Sequence, residues 1–223
     1  MDAKAVAAGK AIEYIENGMA VGLGSGSTSA HAIRKIGERV SQGLRIRAVA
    51  SSTQSEQLAR EYGIPLTPFT GLDRIDIVID GADEVDKHLN LIKGGGGALL
   101  REKILAYNSR QTIIIVDDSK LVDTLGKFPL PIEVTPFAVE LTLAQLKRLK
   151  ANPSVRMAQE ERFVTDNGNL IVDCHFEAIK APEELNIKLH LIPGIVETGL
   201  FPYTLTGSVI VGSADGTTQI LGA

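Results

Sequence analysis

Through its first half the chain alternates short apolar runs with stretches of helical periodicity, and this alternation restricts the fold more than any other feature. Residues 19–23, 45–50, 75–79 and 111–116 are brief and apolar, several of them rich in β-branched side chains. Between them Ile33, Ile36 and Val40 recur at helical spacing. Asp2 is placed to cap an opening helix to about Glu16, with Gly18 as its C′ residue. Thr53 is placed to cap a helix to about Tyr62, and another helix runs from near Gly97 to about Asn108. Strands that alternate with helices predict a mostly parallel sheet with helices on both faces. With 223 residues, 44% of them hydrophobic, the chain can bury a core of that kind.

The texture changes at 128–136, where Pro129, Pro131 and Pro136 punctuate the chain. A helix over 138–150 follows, then strand-like 155–157, a turn at Asp166-Asn-Gly-Asn169, a strand over 170–174, a helix over 182–190 and a return strand near 195–197. This order predicts a small inserted α+β domain of ferredoxin-like type. Ser208-Val-Ile-Val-Gly212 then reads as a buried strand rejoining the main sheet. The expected division is 1–129 with 199–223 as the large domain and 130–198 as the small one.

Charge and cysteine usage exclude several classes. A net charge of −4 gives no electrostatic case for nucleic acid or an anionic membrane, so any anion site must be local. Cys174 is the only cysteine, so no intrachain disulfide can form; it reads as a core residue in a reducing compartment. No run approaches the ~20 apolar residues of a membrane span. The expectation is a cytoplasmic protein. His31, His88, His175 and His190 show no metal-ligand spacing.

Three polar segments carry the chemistry. Gly22-Leu-Gly-Ser-Gly-Ser-Thr-Ser29 joins a strand to a helix, where free backbone N–H groups and the helix dipole favour a phosphate. Ser25, Ser27 and Thr28 add hydroxyls. The loop has neither the Gly-Lys-Ser/Thr of a Walker loop nor dinucleotide glycine spacing. Asp80-Gly-Ala-Asp-Glu-Val-Asp86 follows an apolar strand, and the small Gly81 and Ala82 let Asp80 and Asp83 turn toward one ligand. Those two carboxylates could bind a divalent metal through oxygen, or bond sugar hydroxyls and move protons; the nearby Lys93 favours the second. Glu84 and Asp86 read as solvated or structural. In Lys93-Gly-Gly-Gly-Gly-Ala-Leu-Leu-Arg-Glu-Lys103, four consecutive glycines are costly in conformational entropy and suit a backbone that approaches a ligand closely. Glu102 shares a helical face with Leu99, Leu105 and Ala106. Partial desolvation there makes a carboxylate a better base. Lys120, after the strand over 111–116, reads as a further ligand for phosphate or substrate oxygen, or as a solvated lysine.

Taken in order, these three segments, with the proline-flanked insertion and the Glu197-Thr-Gly-Leu-Phe201 return, resemble ribose-5-phosphate isomerase type A over essentially the full length. The resemblance implies an α/β fold with a Rossmann-like domain and a smaller α+β lid, assembled as a homodimer or homotetramer. It implies metal-independent, cofactor-free interconversion of ribose 5-phosphate and ribulose 5-phosphate, with a small sugar phosphate as partner and neither nucleic acid nor membrane. By the family pattern Glu102 would be the base, and Asp80, Asp83 and Lys93 would line the reacting end. Ser25, Gly26, Ser27, Thr28, Gly81, Ala82, Gly94, Gly95, Gly96 and Lys120 would contact substrate. Ser25 stands where the family often has Thr, which keeps the hydroxyl. Two other classes share the scaffold: a sugar-phosphate sensor domain of a transcription regulator, and a coenzyme A transferase or aminosugar-phosphate deaminase. The first calls for an appended helix-turn-helix with a basic face, and the Asp-Gly-Ala-Asp and Lys-Gly-Gly-Gly segments favour the isomerase over the second.

Overall fold

Strand Ile75–Gly81 shows why the sheet forms where it does: Ile77 and Ile79 face one side, Val78 the other, and all three are buried. A strand apolar on both faces needs cover on both, which is the environment of a parallel sheet. In the computed structural model, which describes residues 1–222, the chain divides into two compact units. One comprises Met1–Ala82, Arg101–Leu121 and the segment from Tyr203 onward; the other comprises Asp83–Leu100 and Val122–Pro202.

The first unit holds a six-stranded sheet in the order Thr218–Leu221, Ser208–Gly212, Ser109–Asp117, Ile75–Gly81, Ala20–Leu23, Arg47–Ala50. Every neighbouring pair is parallel except the first, an antiparallel hairpin. Helices Ala3–Ala11, Gly26–Ser41 and Thr53–Glu61 supply Ala7, Ala8, Ala11, Ala32, Ile33, Ile36 and Ala59 to the core on the Ile77/Ile79 face. Leu105, on helix Leu99–Tyr107, packs with Val49 and Val78 on the other face. The chain leaves Ala20–Leu23 for Arg47–Ala50 on one side and returns to Ile75–Gly81 on the other. The loops after Ala20–Leu23 and Ile75–Gly81 therefore open side by side, at the point where the strand order reverses. In open α/β sheets that is where ligands bind.

Two expectations are corrected here. The opening helix ends at Ala11 and tightens into a 3-10 turn, Ile12–Tyr14, short of Glu16. Ile15, 1% exposed, has extended backbone that carries the chain toward the first strand. Ser52, not Thr53, caps the helix Thr53–Glu61: its backbone is extended and its Oγ accepts from Ser55 N at 3.1 Å.

The second unit holds an antiparallel sheet in the order Ile195–Thr198, Leu130–Val134, Leu170–Cys174, Pro153–Val155. Helices Val139–Arg148 and Pro182–His190 bury Val139, Leu146 and Leu189 against Leu130, Ile132, Val134, Leu170 and Val172. Strand-helix-strand-strand-helix-strand with this order is the ferredoxin-like arrangement expected from the sequence. The unit also takes in Glu84–Asp86, Leu91–Ile92 and Leu200–Phe201; Leu91–Ile92 pairs antiparallel with each of the other two. Glu84 ties this segment to the insertion: its carboxylate accepts from Gly126 N at 2.7 Å and Phe128 N at 2.5 Å. Asp86 closes its own turn, accepting from His88 N, Asn90 N and Asn90 Nδ2.

Cys174 ends the central strand Leu170–Cys174 and is fully buried. Burial pushes its thiol up to about 12, with the Asp173 carboxylate adding to the effect. The expected result is a native thiol inert to a disulfide reagent at pH 8 and one equivalent titrated after denaturation. Rapid labelling of the folded protein would contradict this packing.

Candidate active site

The phosphate-type loop and the aspartate turn are locked together at the switch point of the large sheet. Gly24 N donates to Ile79 O at 2.9 Å, which continues the parallel pairing one residue past the end of strand Ala20–Leu23. Gly24 therefore lies alongside Asp80, and a Cβ at Gly24 would fall 2.0 Å from Asp80 Oδ1. Only glycine fits. With that space open, Asp80 Oδ1 accepts from three donors: Ser25 N at 3.0 Å, Ser29 Oγ at 3.0 Å and Gly81 N at 2.8 Å. Asp80 is 2% exposed, so these bonds carry the cost of burying a carboxylate.

Helix Gly26–Ser41 begins directly after this lock, with Gly26 and Ser27 exposed and Thr28 half-buried at its mouth. The first N–H groups of a helix point outward without intrahelical partners, the geometry an anion takes. Lys4 brings an ammonium to the same place, with Nζ 3.0 Å from Ser27 Oγ. The Ser25 hydroxyl joins a cluster with Ser51 Oγ at 2.7 Å, Ser52 Oγ at 2.8 Å and Ser55 Oγ at 3.4 Å. Ser55 in turn donates to Gly24 O at 2.6 Å. The cluster ties the loop to the segment after strand Arg47–Ala50. Two more candidates belong to this unit. Glu102, in the first turn of helix Leu99–Tyr107, is 5% exposed, more deeply buried than the edge position its spacing suggests. Lys120 ends a 3-10 turn, Asp118–Lys120, beyond strand Ser109–Asp117, and is half-buried.

Asp83, Lys93 and the glycine run belong to the second unit. Asp83 Oδ2 accepts from Gly95 N at 2.8 Å. Lys93 is 3% exposed, its N donates to Gly199 O at 2.9 Å, and its Nζ stands 5.4 Å from the Phe201 ring centroid. The four glycines do not share one purpose. Gly94 and Gly97 adopt φ of +100° and +79°; a Cβ at Gly94 would crowd Leu99, and at Gly97 the Phe163 ring. A Cβ at Gly95 would fall 2.6 Å from Asp83 Oδ1, whereas Gly96 faces open space. The protein's own packing demands three of the four.

The structure thus joins Ser25–Thr28 with Asp80 and Gly81 in one unit, and Asp83 with Lys93 and Gly94–Gly96 in the other. Lys4, Ser29, the Ser51/Ser52/Ser55 cluster and Phe201 escaped the sequence reading. Lone serines and lysines carry no spacing signal, although Ser51-Ser52 directly after a strand was a hint. Among the described residues, no group of three or more His, Cys, Asp or Glu side chains is placed to hold a metal ion. No helix among them is long and apolar enough to cross a membrane.

Comparison with known proteins agrees with this geometry. Residues 47–216 match the family described as Ribose 5-phosphate isomerase A (phosphoriboisomerase A). The chain is 51% identical to Ribose-5-phosphate isomerase A 1 of Oceanobacillus iheyensis, over 92% of each chain. It is 46% identical to Ribose-5-phosphate isomerase A of Jannaschia sp., over 98% of this chain and 86% of that one. A solved D-ribose-5-phosphate isomerase in complex with phospho-erythronic acid superimposes with a TM-score of 0.95 at 41% identity, covering 100% of this chain and 98% of that one. Ribose 5-phosphate isomerase A of Methanocaldococcus jannaschii gives 0.94 at 38% identity, over 100% and 99%. With its switch-point loop, its aspartate turn and relatives of this closeness along nearly its whole length, the chain belongs to the ribose 5-phosphate isomerase A family.

Proposed function

We propose that this chain interconverts D-ribose 5-phosphate and D-ribulose 5-phosphate, moving one proton between C1 and C2 through an enediolate. The observation that carries the reading, beside family membership, is a buried carboxylate, Glu102, in the same unit as an anion loop built at the sheet's switch point. Aldose–ketose conversion needs one base that removes the proton from one carbon and returns it to the next, and a single carboxylate performs both transfers. Glu102 takes that role. Lys93 stabilises the oxyanion that develops beside the reacting carbons. Asp80, with three donors on one oxygen, holds the phosphate loop in shape. Asp83 shuttles hydroxyl protons as the furanose ring opens. Ser27, Thr28 and the helix N-terminus grip the phosphate, while Ser25 braces the loop. Gly81, Ala82, Gly94, Gly95, Gly96 and Lys120 complete the contacts to substrate. In this reading the enzyme uses no cofactor and works as a cytoplasmic homodimer.

The test is turnover of ribose 5-phosphate beside unphosphorylated ribose. The phosphate ester should react and the free pentose should not; equal rates, or no turnover of the ester, would overturn the reading. Thr28→Val should raise KM roughly 10-fold and leave kcat nearly unchanged, because a hydrogen bond to a charged phosphate acts alike in ground and transition states. A loss confined to kcat would remove Thr28 from the phosphate grip.

A further inference from the structure

The glycine run that follows Lys93 is gripped from one side by a single arginine. Arg156 emerges from the small sheet, where its N donates to Ile171 O at 2.8 Å. Its Nε and Nη2 make a two-pronged pair with the Asp173 carboxylate, the Nε bond at 2.8 Å. Its Nη1 donates to Gly94 O at 3.0 Å and to Gly95 O at 2.9 Å. The Phe163 ring centroid lies 5.8 Å from the guanidinium, and the same ring fills the space a side chain at Gly97 would need. The Arg156 side chain is only 15% exposed and that of Asp173 19%, so the pair is shielded from screening by solvent. Across the loop, Asp83 Oδ2 accepts from Gly95 N. The run is thus held by its carbonyls on one side and by an amide on the other.

We propose that Arg156, backed by Asp173 and Phe163, is a positioning residue for the isomerisation: it latches the carbonyls of Gly94 and Gly95 and so fixes where Lys93 and Asp83 stand. This rests on the isomerase reading, since it assigns the latch to that reaction. Four glycines in sequence explore more backbone conformations than any other tetrapeptide, and freezing them is costly. Lys93 directly precedes them, and Asp83 bonds to one of them. An unlatched run would leave the oxyanion group and the proton shuttle loosely placed. A misplacement of about 1 Å costs roughly 10²-fold in rate. Arginine suits the task because its planar fork makes all four bonds at once; a lysine ammonium keeps the charge opposite Asp173 but cannot span carboxylate and carbonyls together.

The experiment compares wild type, Arg156→Ala and Arg156→Lys by steady-state kinetics with ribose 5-phosphate and by amide hydrogen exchange. Arg156→Lys keeps a cation opposite Asp173 and serves where Arg156→Ala folds poorly. In both variants kcat per folded molecule should fall roughly 10- to 100-fold, by more than KM rises. Exchange at the Gly95 and Gly97 amides should rise at least about 10-fold, and a guanidinium salt at millimolar concentration should restore part of the kcat of Arg156→Ala. Unchanged exchange in Arg156→Lys overturns the latch. Faster exchange with kcat within about 2-fold of wild type overturns its part in catalysis. Wild type inactive on ribose 5-phosphate would sink the isomerase reading instead, and the exchange measurement would still decide the latch.

Discussion

Glu102→Gln is expected to lower kcat by at least the 10²–10⁴-fold that general-base catalysis contributes, with the fold and substrate binding nearly intact. The amide matches the carboxylate in shape and still makes hydrogen bonds, but it cannot accept the C2 proton. Glu102 lies in the first turn of helix Leu99–Tyr107 and is 5% exposed. Glutamine matches glutamate in volume and so keeps the packing of the helix, and the variant should fold as wild type does. A drop in kcat with an unchanged melting temperature separates loss of chemistry from loss of fold. If kcat fell by less than about 10-fold, the base would have to be another carboxylate, and Asp83 would be the first to examine.

Lys93→Ala is expected to cost about 10²–10³-fold in kcat, the size seen when one oxyanion donor is removed, with a much smaller change in KM. The lysine is 3% exposed beside Phe201, where a fixed charge acts far more strongly than in water. Its partner on the substrate gains full negative charge only as the enediolate forms. The interaction therefore belongs to the transition state, and its loss appears in kcat. A rise in KM at constant kcat would make Lys93 a ground-state contact and leave the oxyanion to other donors.

Much of this arrangement is legible in the chain itself. The alternation of strands and helices, the Ser208–Gly212 return and the ferredoxin-like insertion all rest on long apolar patterns, and those patterns have single structural solutions. Thr218–Leu221 was not readable: its four residues, Thr-Gln-Ile-Leu, are too few to show a pattern, three of them are exposed, and it forms as the outer half of a hairpin. Asp83–Leu100 joining the small unit was equally hidden, because two short strands of two and three residues leave no periodicity to detect. At the site, glycine spacing exposed the loop but not its reason. Gly24 is required by the Asp80 carboxylate, and most of the run at 94–97 by Leu99, Asp83 and Phe163. Ser29 and Arg156 act through tertiary contacts with residues 51 and more positions away, a distance no local pattern encodes.

The central claim is that a protein carboxylate carries one proton between C1 and C2. It is tested most directly by incubating ribose 5-phosphate with the enzyme in heavy water and following deuterium by NMR at C1 of the ketose and C2 of the aldose. A base whose proton exchanges with water between the two transfers returns deuterium. Deuterium should therefore accumulate at both carbons with wild type and at neither with Glu102→Gln. Incorporation by Glu102→Gln at the wild-type rate would contradict the account.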